Sequence, residues 1–262
     1  MESAPKETVD TLGNQSFKLW EASTFRTAST LLPVYISENG EPASDLDYEE
    51  YLLTDHSHPK PCLFTFHWSN PVLVIGRGQT THDINQRFCL QEGIPIIRRR
   101  TGGRAVLHHQ SLNIALVLPA RHPWARQING LYQHFVTHVG DALRNLGVAV
   151  TVPGNRRPSV PGSSHICFES DFGETLLFEH RKVFGCAQRR LRHSILVHGT
   201  LLLAIDVALQ SRVFNVPESR ITRAMSHIPG NIDPQMARDA IIHSFSSGLE
   251  SEPVRKGGYH DR

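Results

Sequence analysis

Three short runs hold side chains that could do chemistry. The first is Arg98-Arg99-Arg100-Thr101-Gly102-Gly103-Arg104-Ala105-Val106-Leu107-His108: four arginines, two adjacent glycines and a histidine in eleven residues. Adjacent glycines between apolar strands let a backbone approach a ligand, because no Cβ stands in the way. Arginines offer fixed forks of donors for carboxylate, phosphate or carbonyl oxygens. Alone, the run reads equally as a tight hairpin with a solvated basic rim. The second run is Ile166-Cys167-Phe168-Glu169, and its thiol is either a buried structural group or a nucleophile. The third is Arg181-Lys182-Val183-Phe184-Gly185-Cys186-Ala187, which leads into the basic cluster Arg189-Arg190-Leu191-Arg192-His193 and then His198-Gly199-Thr200.

Composition narrows the classes. The 262 residues, 39% hydrophobic and 20% charged, suit one large α/β domain or two small ones. A net charge of +2 is too mild to argue for nucleic acid. The sixteen histidines are scattered without ligand spacing, so no metal site is expected. The four cysteines, Cys62, Cys89, Cys167 and Cys186, form no CxxC pair and follow no secretory signal. No stretch reaches the roughly 18–20 apolar residues of a membrane span. The chain therefore reads as cytoplasmic, with reduced thiols and no membrane partner. No apolar helix stripe demands a second copy, so a monomer is expected.

These residues need elements to hold them. Helical spacing runs over 43–54, capped by Ser44 or Asp45, and over 128–146, which Gly147 stops. A short helix is expected at 83–91 and a packed terminal helix at 234–249. Strand patterns cover 31–36, 62–68, 72–75, 94–98, 113–118, 148–152, 175–179, 181–187 and 194–203. Strands 94–98 and 113–118 are expected as neighbours flanking the Arg/Gly turn. Residues 153–165 form a Pro/Gly/Ser-rich loop. The result is an α+β fold, an α/β mixed sheet that is largely antiparallel and flanked by helices. Residues 1–30 are expected as a partly flexible extension, 31–250 as one catalytic domain and 251–262 as a tail.

Together the runs resemble the biotin/lipoate protein ligase catalytic-domain superfamily, in the form of its cysteine-dependent octanoyltransferases. RRRTGGRAVLH resembles the family's signature, KVFGCAQRR its lysine motif, VHGTLLL the following strand, and WSNPVLVIGRGQ the upstream strand and turn. Cys167-Phe168 stands where that branch has its nucleophile. The resemblance implies a mixed sheet in which the glycine turn and the lysine strand face each other across an acyl pocket. It implies catalytic roles for Cys167 and Lys182. Cys167 would take an octanoyl group from an acyl carrier protein and pass it to a lysine of a lipoyl domain. Lys182 would orient the thioester carbonyl, favour the thiolate, or take the proton of the incoming amine. The acceptor would be glycine cleavage H protein or a 2-oxoacid dehydrogenase E2 component. Substrate-binding roles would fall to Arg77, Gln79, Arg98, Arg99, Thr101, Gly102, Gly103, Arg104, His108, Gly185, Ala187, His198, Gly199 and Thr200.

The chain departs from the family pattern in places. Arg104 replaces a glycine by which lipoate-activating ligases resemble one another, and His109-Gln110-Ser111-Leu112 replaces their Asp-x-Gly-Asn continuation. A bulky Arg104 leaves less room for an adenylate, and the chain's end near residue 262 leaves no accessory domain expected. Both favour a transferase without cofactor. Phe184 and Cys186 replace smaller or hydroxyl residues and bear on pocket width. The alternatives are an amidotransferase between lipoyl domains, an ATP-dependent lipoate-protein ligase, and a non-catalytic module that binds a lipoyl or carrier domain. Residues 189–193 would dock an acidic carrier protein, or simply form a solvated strand face.

Overall fold

The computed structural model describes residues 8–12, 15–20, 32–56, 60–153, 166–169 and 175–250, with 8–12 and 15–20 described as backbone. The Pro/Gly/Ser-rich loop beyond Pro153 and the 251–262 tail lie outside the described residues.

Eleven described strands make two sheets. They are β1 (Thr8–Leu12), β2 (Gln15–Trp20), β3 (Val34–Glu38), β4 (Cys62–His67), β5 (Val72–Ile75), β6 (Ile96–Arg98), β7 (Val106–His108), β8 (Ser111–Pro119), β9 (Thr175–Phe178), β10 (Arg181–Arg190) and β11 (Ser194–Leu202). The larger sheet runs β1-β2-β3-β4-β8-β11-β10-β9, and the smaller β6-β5-β7. Only the pairs β3–β4 and β5–β6 are parallel, so the sheets are mixed and largely antiparallel. Six described α-helices flank them: α1 (Pro42–Thr54), α2 (Gln86–Gln91), α3 (Ile128–Asn145), α4 (Val207–Phe214), α5 (Glu218–Ala224) and α6 (Pro234–Glu250).

β8 shows why the sequence there is an unbroken apolar run. Ile114, Leu116 and Leu118 pack with Phe135 and Val139 of α3 and Ile241 and Phe245 of α6. Ala115 and Val117, on the other face, pack with Tyr48 and Leu52 of α1 and Val72 and Val74 of β5. A strand covered on both faces has no polar alternation to show. The helices on the first face meet ring to ring, Phe135 to Phe245 at 5.4 Å between centroids, and Phe135 also meets Phe184 of β10 at 5.9 Å. Such aromatic pairs each stabilise by about 0.5–1.5 kcal/mol beyond their buried area.

Several expectations are corrected. Within the expected N-terminal extension, β1 and β2 pair with each other, and β2 extends the sheet from β3. Residues 94–98 and 113–118 are not neighbours. β6 and β8 belong to different sheets, and β7 intervenes in the chain. The Arg/Gly run is thus no hairpin; it crosses the end of β5 to join β6 and β7 on that strand's two sides. Residues 148–152 are not a strand, because only Thr151 bridges to Leu177. The β9–β10 turn is Glu179-His180, both with positive φ (50° and 64°), as a tight two-residue hairpin of the mirror-image type requires.

The start of α1 also differs from expectation. Glu41 caps it, accepting from Ser44 N at 2.9 Å, and Pro42 at the first helical position presets φ. Asp45 is left to turn inward. It is fully buried and accepts from Trp68 Nε1 at 2.7 Å. Burial is the main cause that raises its carboxyl from 3.8 to about 6, against the lowering by Trp68 and Ser37. A raised folded value means the native state holds this proton more tightly than the unfolded chain. That stability is full below pH 3.8 and is lost as pH rises through about 6. Asp45→Asn keeps an acceptor for Trp68 and removes the titration. In denaturant melts it should gain on the wild type between pH 4 and pH 7, by an amount on the order of 2 kcal/mol. A difference that does not change with pH would contradict this account of Asp45.

Among the described residues, no helix is long and apolar enough to cross a membrane.

Candidate active site

The two glycine turns fit together before any ligand is considered. A Cβ on Gly76 would stand 1.9 Å from the carbonyl oxygen of Gly103, and Gly103 itself has φ +92°. Backbone therefore packs on backbone, and only glycine permits it. Gly76→Ala should cost about 1–3 kcal/mol through overpacking that the backbone must absorb. A denaturation midpoint equal to that of the wild type would refute the contact.

The arginines brace this junction. Arg98 Nη1 donates to the carbonyls of Gly76, Arg77 and Gln79, at 2.8, 3.1 and 2.7 Å. Arg99 is buried, and its guanidinium donates to Thr101 Oγ1 (3.0 Å) and to the carbonyls of Gly102 and Arg104 (both 2.8 Å). The forks expected to hold a ligand are largely spent on the loop itself. Desolvation lowers the Arg99 pKa, while the Cys167 and Glu49 charges raise it.

Thr101 ties the loop to the large sheet. Its Oγ1 accepts from Arg99 and is hydrogen-bonded to His198 Nε2, 2.8 Å away. His198 Nδ1 donates to the carboxylate of Glu49 of α1 at 3.0 Å. The line Glu49–His198–Thr101–Arg99 joins helix, strand and loop. Glu49 escaped the sequence reading; the available signal was its place four residues after Asp45, beside Tyr48 and Leu52 on the buried side of α1.

Cys167 opens a short 3₁₀ turn (Cys167–Glu169) that is held from three sides. Its N–H donates to Ala105 O at 3.0 Å, just past the glycine loop. Lys182 Nζ donates to its carbonyl at 3.0 Å and lies 5.3 Å from the Phe168 ring centre. Arg220 of α5 grips Glu169 with two donors. Lys182 is buried, at 5% exposure, whereas Cys167 is half-buried. Gly185 leaves room between them. A Cβ there would stand 2.7 Å from Lys182 Cε, 3.0 Å from its Nζ and 3.9 Å from Cys167 Sγ.

These groups border a small open cleft of about 60 Å³ between the two sheets. Of the expected site residues, Arg99, Gly103, His108, Cys167, Gly185, Ala187, His198, Gly199 and Thr200 line it. Arg77, Gln79, Arg98, Thr101, Gly102, Arg104 and Lys182 do not; they sit in the turns around it or behind its wall. Leu46, Glu49, Phe66, Trp68 and Asn113 line it and were not anticipated. Cys186 also lines it, half-buried, while Cys62 and Cys89 are buried in the core. Burial pushes the Cys62 thiol up to about 12, which makes it unreactive. Burial first, then the Arg99 charge, pushes His108 down to about 3, so its ring is neutral.

The basic run at 189–193 is partly committed within the fold. Arg189 pairs with Glu50, and Arg190 donates to Ala125 O and Gln188. Arg192 and His193 are exposed. Among the described residues, no group of three or more His, Cys, Asp or Glu could hold a metal ion.

Comparison with known proteins agrees with this architecture. The sequence model of the lipoyl protein ligase A/B catalytic domain matches residues 41–246. Octanoyltransferase LipM of Brevibacillus brevis is 30% identical over 241 residues, covering 83% of this chain and 86% of its own. Its namesake from Bacillus subtilis is 28% identical over 232 residues, with 82% and 84% covered. Among solved structures, lipoate-protein ligase A bound with ATP aligns with a TM-score of 0.68 at 22% identity, over 82% of this chain and 83% of the other. A bi-partite lipoate protein ligase from Thermoplasma acidophilum aligns at 0.65 and 21% identity, over 83% and 82%. The extent of the family match and the identity to the Brevibacillus protein show that this chain belongs to the lipoyl protein ligase A/B catalytic-domain family.

Proposed function

We propose that this protein is an octanoyltransferase of protein lipoylation that carries the acyl group on Cys167. The observation that carries the reading is the meeting of Cys167 Sγ and Lys182 Nζ around Gly185, at one end of a cleft walled by the glycine loop. The Cys167 thiolate attacks the thioester carbonyl of an octanoyl carrier protein. The carrier thiolate leaves and takes up a proton, and an octanoyl-Cys167 thioester remains. The amine of a lipoyl-domain lysine then attacks that carbonyl, an amide forms, and the Cys167 thiol is restored. Each acyl transfer is level or downhill, so no nucleotide is consumed.

The chain's own geometry suggests a part for each neighbour. Lys182 fixes the cysteine turn through its carbonyl and brings a buried positive charge beside the tetrahedral oxyanion. Gly185 keeps the lysine and the thiol close. The Glu49–His198–Thr101 line holds the glycine loop over the acyl chain.

The test is a transfer assay without ATP, using an octanoyl carrier protein as donor and a lipoyl domain as acceptor. The reading requires octanoyl-amide on the acceptor by mass spectrometry. Product formed only from an acylated lipoyl domain would make the protein an amidotransferase. Product formed only with free acid and ATP would make it a ligase. Absence of product under all three conditions would leave a binding module.

A further inference from the structure

One end of the large sheet gathers positive charge from three loops. Ala120 N donates to His193 O at 2.9 Å, so the segment after β8 lies against the β10–β11 turn. Gln188 Nε2 donates to Ile128 O at 3.1 Å, and the Arg190 guanidinium donates to Ala125 O. The start of α3 is thereby fixed beside the end of β10. The His56 ring meets that of His193 at 5.4 Å, and Lys60 Nζ donates to Asp55 O at 2.9 Å, so the segment after α1 joins them. These contacts bring Lys60, Arg121, Arg126, Arg189, Arg190 and Arg192 to one end, where the carboxylates are Glu50 and Asp55. Arg189 is spent on Glu50. Arg121, Arg126 and Arg192 are exposed, and Ile128 beside them is 56% exposed. The whole chain carries only +2, so the excess is local.

Distance decides what such a surface can hold. Gly185, next to Cys167 Sγ, and Arg190 lie five residues apart on β10, about 17 Å along a strand. The cleft wall follows the same strand as far as Ala187. A lysine side chain reaches about 6 Å from its Cα, so an acceptor lysine can meet Cys167 only if its domain sits at the cleft itself. A carrier protein holds its thioester on a phosphopantetheine arm of about fourteen bonds, about 18 Å when extended. The donor alone can therefore dock at the basic end and still deliver its carbonyl to Cys167. Charge agrees, because the carboxylates of an acidic carrier pair with arginine forks and are steered by them.

We propose that Arg121, Arg126, Arg192 and Ile128 form the docking surface for the acidic acyl carrier protein, apart from the place where the lipoyl domain binds. The proposal rests on the acyl-transferase reading for its donor. The surface sets donor affinity and takes no part in the chemical step.

A comparison of donors tests it. In the full chain, the double variant Arg126→Glu/Arg192→Glu should raise KM for octanoyl carrier protein by about tenfold. Transfer from octanoyl-pantetheine, which has no protein to dock, should be unchanged, as should KM for the lipoyl domain. Added salt should raise the carrier KM of the wild type in the same selective way. If a thermal melt shows that the double variant does not fold, Arg126→Gln/Arg192→Gln is measured instead, with a rise of about threefold expected. An unchanged carrier KM overturns the proposal, and so does a rise confined to the lipoyl domain. Titration of the carrier protein with its free thiol separates this result from the chemistry. Weaker carrier binding by the variant, in a protein that forms no octanoyl-Cys167 from any donor, would sink the transferase reading alone. Octanoyl-Cys167 formed by the variant at the wild-type KM would sink the docking surface alone.

Discussion

Cys167→Ser is expected to lower octanoyl transfer by at least about 10³-fold while leaving the fold intact. The two halves of this result have separate causes. The turn that carries residue 167 is held by the backbone N–H and carbonyl of Cys167 and by Glu169, none of which the substitution touches. The half-buried side chain changes by one atom, so the melting temperature should stay within a few degrees. The chemistry loses its thiolate, and an unactivated hydroxyl is a poor nucleophile at neutral pH. Transfer rates and a thermal melt on the same preparation separate these effects. Wild-type transfer by the serine protein would remove Cys167 from the reaction. A large loss of stability would mean instead that the thiol is a structural group.

Lys182→Met is the second large effect, expected at about 10² in kcat. Methionine keeps most of the apolar stem that lies under Gly185 and Phe168, and it lacks the ammonium. Two things are lost: the donor to the Cys167 carbonyl and the ammonium beside the proposed nucleophile. If the charge acts on the transition state, kcat falls and KM for the carrier thioester moves little. A lysine that served only to pin the turn would instead lower the melting temperature and loosen acyl binding. Lys182→Arg should not rescue, because a Cβ-sized space at Gly185 already lies within 3.0 Å of the ammonium, and a guanidinium needs more. Full activity in the arginine variant would contradict that packing.

The chemistry-bearing runs were legible because each combines residue types that packing alone seldom places together. Two glycines among arginines, a thiol beside an aromatic, and a lysine followed closely by glycine all fall around one cleft. The long amphipathic α3 was equally legible, with its stop at Gly147, whose φ is +83°. What escaped is nonlocal. Nothing in Val72–Ile75 or 94–98 says that these strands leave the main sheet, since short apolar runs look alike whichever sheet they join. That division decides that the Arg/Gly run bridges the end of β5 and turns Arg98 and Arg99 to bracing the loop. Glu49 and Asn113 were invisible for a related reason. One sits on the buried side of a helix and the other inside an apolar strand; the packing of α1 on β11 brings the first to the cleft, and the sheet register the second. Ser44 or Asp45 reads as the helix cap because such residues favour that place, but Glu41 and Pro42 have already begun the helix.

The central claim is that the acyl group rests covalently on Cys167. The most direct measurement is peptide mapping by mass spectrometry after the full chain is mixed with octanoyl carrier protein and no acceptor. The account predicts one octanoyl group on the peptide holding Cys167, labile to hydroxylamine and discharged when a lipoyl domain is added. An adduct on Cys186 or Lys182 instead, or transfer to the lipoyl domain with no enzyme-bound acyl group at any time, would contradict it.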